Sequence, residues 1–136
     1  MVIAIIDGMG GGLGVQLVTQ LKNHKLSDVE IIALGTNALA TNNMVKAGAQ
    51  RGATGENAIA VSVKRADIVA GPIGIVIADA LMGEITPRIA AAVAAVDARK
   101  ILVPVNQNHF EIAGLETRPM TYWIKEAANR IVALCQ

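Results

Sequence analysis

Aromatic side chains are scarce in this sequence, which contains one Phe, one Tyr and one Trp in 136 residues. Proteins that bind nucleic acids need aromatic platforms for the bases or clustered Lys and Arg for the phosphates. The chain offers neither, because its net charge is only +1 and its basic residues are dispersed. We therefore expect no nucleic-acid interface.

Cysteine and histidine are also rare. The single cysteine, Cys135, excludes an intramolecular disulfide and lies near the end of the sequence, in a position typical of an inert helix residue. The two histidines, His24 and His109, are isolated from each other. A metal site needs clustered Cys, His and carboxylate groups, so no metal site is expected.

Charged residues make up 17% of the chain, below the usual ~25%, while the hydrophobic share is 53%. No stretch of ~20 mostly apolar residues is present, so no membrane-spanning helix is expected. The start Met1-Val2-Ile3 lacks the basic segment of a signal peptide, which predicts a cytoplasmic protein. The length fits a single domain over residues 1–136. The apolar excess favours contact between the subunits of a homo-oligomer.

The sequence opens on an apolar strand that leads into a glycine-rich loop. Residues 2–6 are apolar without alternation, the pattern of a strand covered on both faces of a parallel sheet. Asp7 ends the strand, and five of the next seven residues are glycine. Glycine lets backbone N–H groups approach a ligand, and the helix that follows directs its positive end to the same point. The stretch therefore predicts a phosphate or carboxylate site. Its predicted ligand-binding residues are Gly8, Met9, Gly10, Gly11, Gly12, Leu13 and Gly14.

The spacing of these glycines does not fit a strict G-x-G-x-x-G fingerprint. It is Gly8-x-x-x-Gly12-x-Gly14, which resembles the cofactor loop of short-chain dehydrogenases, where the last two glycines admit the diphosphate. The Tyr-x-x-x-Lys pair of those enzymes is missing, because Tyr122 is followed by Lys125. No Lys or Ser/Thr follows the glycines, as a phosphate-hydrolysing loop would require.

Apolar periodicity along the rest of the chain predicts alternating strands and helices. Extended segments are expected at 29–34, 50–52, 67–71 and 101–105. Thr54 is the expected cap of the third helix, residues 73–82 are interpreted as a helix, and an Ala-rich helix is expected from Pro87 to Asp97. Residues 110–115 alternate as an edge strand would. The pattern predicts a doubly wound, Rossmann-like α/β domain with a mainly parallel sheet in the order 3-2-1-4-5 plus an edge strand.

Further candidate ligand-binding residues follow other strands, because open α/β sheets bind ligands at the carboxyl ends of their strands. Thr36 and Asn37 follow the second strand, where a helix cap and a ligand contact explain them equally well. Gly71 ends the fourth strand, and Asn106 follows the fifth.

Several motifs resemble those of a known family of short bacterial proteins that is classified only as a domain of unknown function. The motifs are IDGMGGGLG, ALGTNALAT, KAGAQRGATGENAI, GPIGI, GEITP and KILVPVNQ. The resemblance runs nearly end to end and implies a soluble α/β fold. It implies no activity.

The end of the second strand constrains the ligand. In the NAD-binding fingerprint, an Asp or Glu ~20 residues after the glycines holds the ribose hydroxyls. Here the strand ends Leu34-Gly35-Thr36-Asn37, without an acid. We therefore rank a mononucleotide, NADP or another phosphorylated small molecule above NAD. Lys46 and Arg51, the nearest basic residues for a 2′-phosphate, lie farther along the chain.

Three functions remain open. The favoured one is a domain that binds a nucleotide or another phosphorylated small molecule over the glycine loop. The second is a small NAD(P)-type enzyme in which Asp7, Asn106 and His109 perform acid–base catalysis. The third is an oligomeric structural or regulatory subunit without a ligand, which ranks lower because a simple turn does not need five glycines.

Overall fold

A five-stranded sheet forms the centre of the computed structural model, which describes residues 1–105 and 110–136. All neighbouring strands are parallel, in the order β3-β2-β1-β4-β5. The strands are β1 (Val2–Asp7), β2 (Glu30–Gly35), β3 (Arg51–Thr54), β4 (Ile68–Pro72) and β5 (Arg99–Val103). This order confirms the predicted doubly wound, Rossmann-like α/β fold.

Helices cover both faces of the sheet. They are α1 (Gly12–Asn23), α2 (Ala38–Ala47), α3 (Glu56–Ser62), α4 (Pro87–Ala95) and α5 (Met120–Leu134). Two short 3₁₀ helices lie at Val63–Arg65 and Ile73–Val76. Helices α1, α2 and α5 pack in the hydrophobic core on one face, while α3 and α4 pack in the core on the other face.

Strand β1 is buried in both cores, as its apolar sequence predicts. Ile3 and Ile5 contribute to the core beneath α1, whereas Ala4 and Ile6 contribute to the core beneath α4. Strands β2 and β3 lie on one side of β1, and β4 and β5 lie on the other. The strand order thus reverses at β1, and the crevice beside such a reversal is the usual ligand site of open α/β sheets. The glycine loop lies at this point.

The predicted helix over 73–82 is wrong. The 3₁₀ helix Ile73–Val76 is followed by turns, in which Asp79, Leu81 and Met82 have φ values of 65°, 54° and 55°. The N–H of Asp79 donates to the carbonyl of Ile85 at 2.7 Å, a contact that closes the turn. Ile75 and Ile85, on either side of these turns, are buried in the core beneath α4, and this packing overrides the helix propensity of the Ala, Leu and Met residues between them.

The predicted edge strand over 110–115 is also wrong, since residues 110–119 contain neither helix nor strand. Phe110, Ile112 and Leu115 are all exposed, so their spacing does not separate a buried face from an exposed one. Alternation identifies a strand only where one face is covered.

Several element ends lie one or two residues from the expectation, among them those of strands β2 to β5, the start of α3 and the end of α4. Gly55, and not Thr54, precedes α3, because Thr54 is the last residue of β3 and its hydroxyl donates to Thr41 Oγ1 at 2.7 Å. The Ala-rich helix ends at Ala95, two residues before Asp97. Within the described residues, no helix is long and apolar enough to cross a membrane.

Candidate functional site

The glycine loop makes a tight turn between β1 and α1. The N–H of Gly11 donates to the carbonyl of Gly8 at 2.8 Å, and Gly11 has a φ of 76°. A Cβ at Gly11 would lie 2.9 Å from the Cα of Ala40 in α2. Positive φ and close packing on α2 both require glycine at this position.

Asp7 fastens the loop at both ends. Its Oδ1 accepts the N–H of Gly8, and its Oδ2 accepts the N–H of Gly14, each at 2.8 Å. The residue is only 5% exposed. Both carboxylate oxygens are therefore committed to the backbone, and Asp7, a sequence candidate for acid–base catalysis, acts here as a positioning residue.

The surroundings of Asp7 oppose its ionisation. Burial raises the pKa of the Asp7 carboxyl, while the hydrogen bonds from Gly14 and Gly8 lower it in part. The negative charge of Glu84 raises the pKa further. The net result is a pKa above the usual value for an aspartate.

Three backbone N–H groups of the loop remain available to a ligand. In the part of the chain that the structure describes, those of Gly10, Gly12 and Leu13 have no protein acceptor. They lie at the N-terminus of α1, which has no side-chain cap and no acidic residue in its first turn. Helix N-termini of this kind bind anions.

Glu84 is a site residue that the sequence analysis missed. Its Oε1 accepts three hydrogen bonds, from Thr36 Oγ1 at 2.5 Å, Asn37 Nδ2 at 2.8 Å and the N–H of Met9 at 3.0 Å. Partial burial acts to raise the pKa of the Glu84 carboxyl, but the hydrogen bonds from Thr36, Met9 and Asn37 outweigh it. The pKa is lower than usual, and Glu84 is ionised at neutral pH.

No local pattern indicates this role. Glu84 is 48 residues from Thr36 in sequence and reaches it only through the turns that replace the expected helix over 73–82. The sequence offers only an acid directly after a glycine, Gly83, and the structure gives this glycine a φ of 89°. That signal specifies a turn and no partner.

Thr36 and Asn37 both lie beside the glycine loop, as the strand order requires. The N–H of Thr36 donates to the carbonyl of Asp7 at 3.1 Å. Asn37 caps α2 through its Oδ1, which accepts the N–H of Ala40, while its Nδ2 also donates to the carbonyl of Met9 at 2.9 Å. Asn37 thus combines the role of a helix cap with contacts in the candidate site.

Gly71 packs two strands closely. A Cβ at this position would lie 2.2 Å from the carbonyl oxygen of Ile6, so only glycine permits the approach of β4 to β1. Asn106 and His109, the remaining candidates, lie outside the described residues. Among residues 1–105 and 110–136, no three His, Cys, Asp or Glu side chains are grouped to hold a metal ion.

A cavity of about 670 Å³ lies next to the loop. Its lining is largely apolar and consists of Met9, Gly74, residues 77–82, Val105 and Phe110. Ligand pockets commonly have this size and apolar character, with a few polar groups that fix the orientation of the ligand. Met9 belongs both to the cavity wall and to the glycine loop.

A family model described as a domain of unknown function, DUF3842, matches residues 2–136. The chain belongs to this family. The resemblance to a family classified only as a domain of unknown function is thereby confirmed.

The DUF3842 domain is also similar to a solved structure, a dodecameric FMN-dependent UbiX-like decarboxylase from Escherichia coli O157:H7. The two share 21% identity over 96% of this chain and 75% of the decarboxylase chain, with a TM-score of 0.47. A likeness of this level carries no argument about function. No curated protein matches the sequence.

We predict that Asp7 of the DUF3842 domain titrates above the usual range of an aspartate, and that Glu84→Gln lowers its pKa by removing a neighbouring negative charge. The native state then holds the proton of Asp7 more tightly than the unfolded chain does. The contribution of Asp7 to the free energy of unfolding therefore falls as pH rises from its pKa in the unfolded chain to its raised pKa in the native state. Carbon-detected NMR of the side-chain carboxyls measures the pKa, with Glu56→Gln as the control. An Asp7 pKa below the usual range, or one that Glu84→Gln leaves unchanged, would contradict the assignment.

Proposed function

We propose that the DUF3842 domain binds a phosphorylated small molecule, such as a nucleotide, with a phosphate on the N–H groups of Gly10, Gly12 and Leu13. The proposal rests on one observation: some backbone N–H groups of the loop have a protein acceptor and others have none. Those of Gly8 and Gly14 are held by the carboxylate of Asp7, while three others at the N-terminus of α1 have no acceptor among the described residues.

The charge at the N-terminus of α1 favours the same class of ligand. Aligned peptide dipoles give a helix N-terminus about +0.5 of an elementary charge. The side chains of Asn37 and Thr86 cap this end of α2 and α4, whereas α1, like α3 and α5, begins without a side-chain cap. A phosphate would serve as the missing cap.

The adjacent cavity supports an organic ligand over a bare anion. Its volume of about 670 Å³ and its apolar wall suit a ring system or an acyl group attached to the phosphate. Because Met9 belongs to both loop and cavity, a single ligand can reach both. The described geometry therefore supports binding, whereas the enzyme hypothesis depends on Asn106 and His109.

The test is Gly12→Val. No atom lies within 4 Å of a Cβ at this position, so the new side chain projects into the space where the phosphate would lie and leaves the fold intact. In titration calorimetry, we expect wild type to bind pyrophosphate and AMP, and Gly12→Val to bind both at least ~10-fold more weakly, a loss of about 1.4 kcal/mol.

The control for this experiment is Ala133→Val, which adds the same β-branched side chain to an exposed position of α5. It should bind like wild type. Equal affinity of Gly12→Val and wild type would refute the loop as the binding site, and wild type without affinity for either probe would refute the proposal as a whole.

Self-association is the second part of the proposal, with α4 as the contact. Ala91, Ala94 and Ala95 are exposed on this helix, and Met82 before it is 89% exposed. Small side chains allow close approach of a second copy, and an exposed apolar surface favours it. We expect light scattering to give at least a dimer at micromolar concentration and Ala94→Glu to lower the mass, unlike Thr19→Glu on α1. A wild-type monomer would defeat this prediction.

A further inference from the structure

Glu84 lies at the end of β2, where its carboxylate affects which chemical group of a ligand can bind. Thr36 and Asn37 follow this strand and neither is an acid, but both donate a hydrogen bond to Glu84 Oε1. We propose that Glu84 makes the site select a ligand with free hydroxyls at this end, such as a ribose, and reject one with a second phosphate there. This inference rests on the proposed function, because it concerns the same ligand.

The hydrogen bonds of Glu84 fix the carboxylate and leave one oxygen available. All three protein donors bind Oε1, while Oε2 has no hydrogen-bond partner among residues 1–105 and 110–136. An ionised carboxylate accepts and does not donate. Oε2 can therefore accept a hydrogen bond from a ligand. A ribose hydroxyl can donate that bond, whereas a phosphate dianion has no hydrogen to donate.

The location of the carboxylate places it next to both parts of the proposed site. A Cβ on Gly8 would lie 2.6 Å from Thr36 Oγ1, 3.0 Å from Glu84 Oε1 and 3.1 Å from Leu81 Cδ1. Glu84 thus lies over the start of the glycine loop, and Leu81 beside it lines the cavity. A ligand that joins the loop to the cavity passes this carboxylate.

Charge in the neighbourhood disfavours a second phosphate. None of the salt bridges among the described residues involves Glu84. Arg51, a sequence candidate for holding a 2′-phosphate, pairs with Glu30 at 2.6 Å, where β2 and β3 begin. Lys46 lies in the last turn of α2, at the helix end opposite Asn37. A phosphate at the end of β2 would therefore meet the carboxylate of Glu84, and neither Arg51 nor Lys46 lies there to neutralise it.

This arrangement corrects the premise of the ligand ranking drawn from the sequence. NADP was favoured over NAD because the end of β2 has no acid in sequence, but Glu84 brings an acid there from another segment. The turn that holds Glu84 contains positive φ values at Asp79, Leu81 and Met82, none of which is glycine. Backbone strain of this kind is concentrated at ligand sites.

The experiment compares AMP with adenosine 2′,5′-bisphosphate, which differ only in the 2′-phosphate, and uses pyrophosphate to probe the loop alone. In calorimetry, we expect wild type to bind AMP at least ~10-fold more tightly than the bisphosphate. Glu84→Gln should reduce this preference to less than about threefold, because the amide keeps the shape and removes the charge. Glu84→Asp, which keeps the charge, should retain a preference for AMP.

The matched control is Glu56→Gln. Glu56 also accepts a threonine hydroxyl, from Thr86 at 2.5 Å, but it lies at the start of α3 and has no contact with the loop. Its removal should leave the preference of wild type unchanged. Thermal unfolding of each variant verifies that it is folded.

The outcomes separate the inference from the function beneath it. If wild type binds pyrophosphate, it can still show no preference for AMP, because it binds both nucleotides equally, binds the bisphosphate more tightly or binds neither nucleotide. Each of these results overturns the inference but leaves the proposed phosphate site in place. An unchanged preference in folded Glu84→Gln also overturns the inference. If none of the three probes binds, the proposed function fails and the inference fails with it.

Discussion

The carboxylate of Asp7 accepts the N–H groups of Gly8 and Gly14, and the shape of the glycine loop depends on these two bonds. A buried carboxylate is costly unless its oxygens are hydrogen-bonded, and the raised pKa of Asp7 reflects the part of that cost that remains. Both ends of the loop are thus held from below, and between them the N–H groups of Met9 and Gly11 donate to Glu84 and to the carbonyl of Gly8. Gly10, Gly12 and Leu13 can then face a ligand without a protein competitor among the described residues.

The second carboxylate of the site has a different role because its environment differs. Asp7 is buried beneath the loop with both oxygens occupied, whereas Glu84 lies above it with one oxygen held by Thr36, Asn37 and Met9. The pKa of Asp7 is raised and that of Glu84 is lowered. Asp7, the buried acid, thus positions the backbone of the loop, and Glu84, the ionised acid, is suited to accept a hydrogen bond from a ligand.

Sequence reasoning succeeded where the determinants are local. The unbroken apolar run of β1, the glycines after it and the polar Thr36-Asn37 pair after β2 each specify their own surroundings, and parallel topology then brings the strand ends together. It failed where structure depends on distant contacts. The turns around Asp79 to Gly83 consist mostly of residues that favour helices, but they lead into Ile85, which is buried in the core, and Glu84, which binds Thr36 and Asn37 after β2. Glu84 was missed for this reason, although it is the acid that the end of β2 appeared to lack in sequence.

The central claim is that an anion binds the open amides of the glycine loop. A crystal structure of the protein soaked with pyrophosphate tests it most directly. The account predicts phosphate oxygens about 2.7–3.2 Å from the backbone nitrogens of Gly10, Gly12 and Leu13, in line with the axis of α1. A pyrophosphate bound elsewhere, or these three N–H groups already bonded to protein carbonyls, would contradict it.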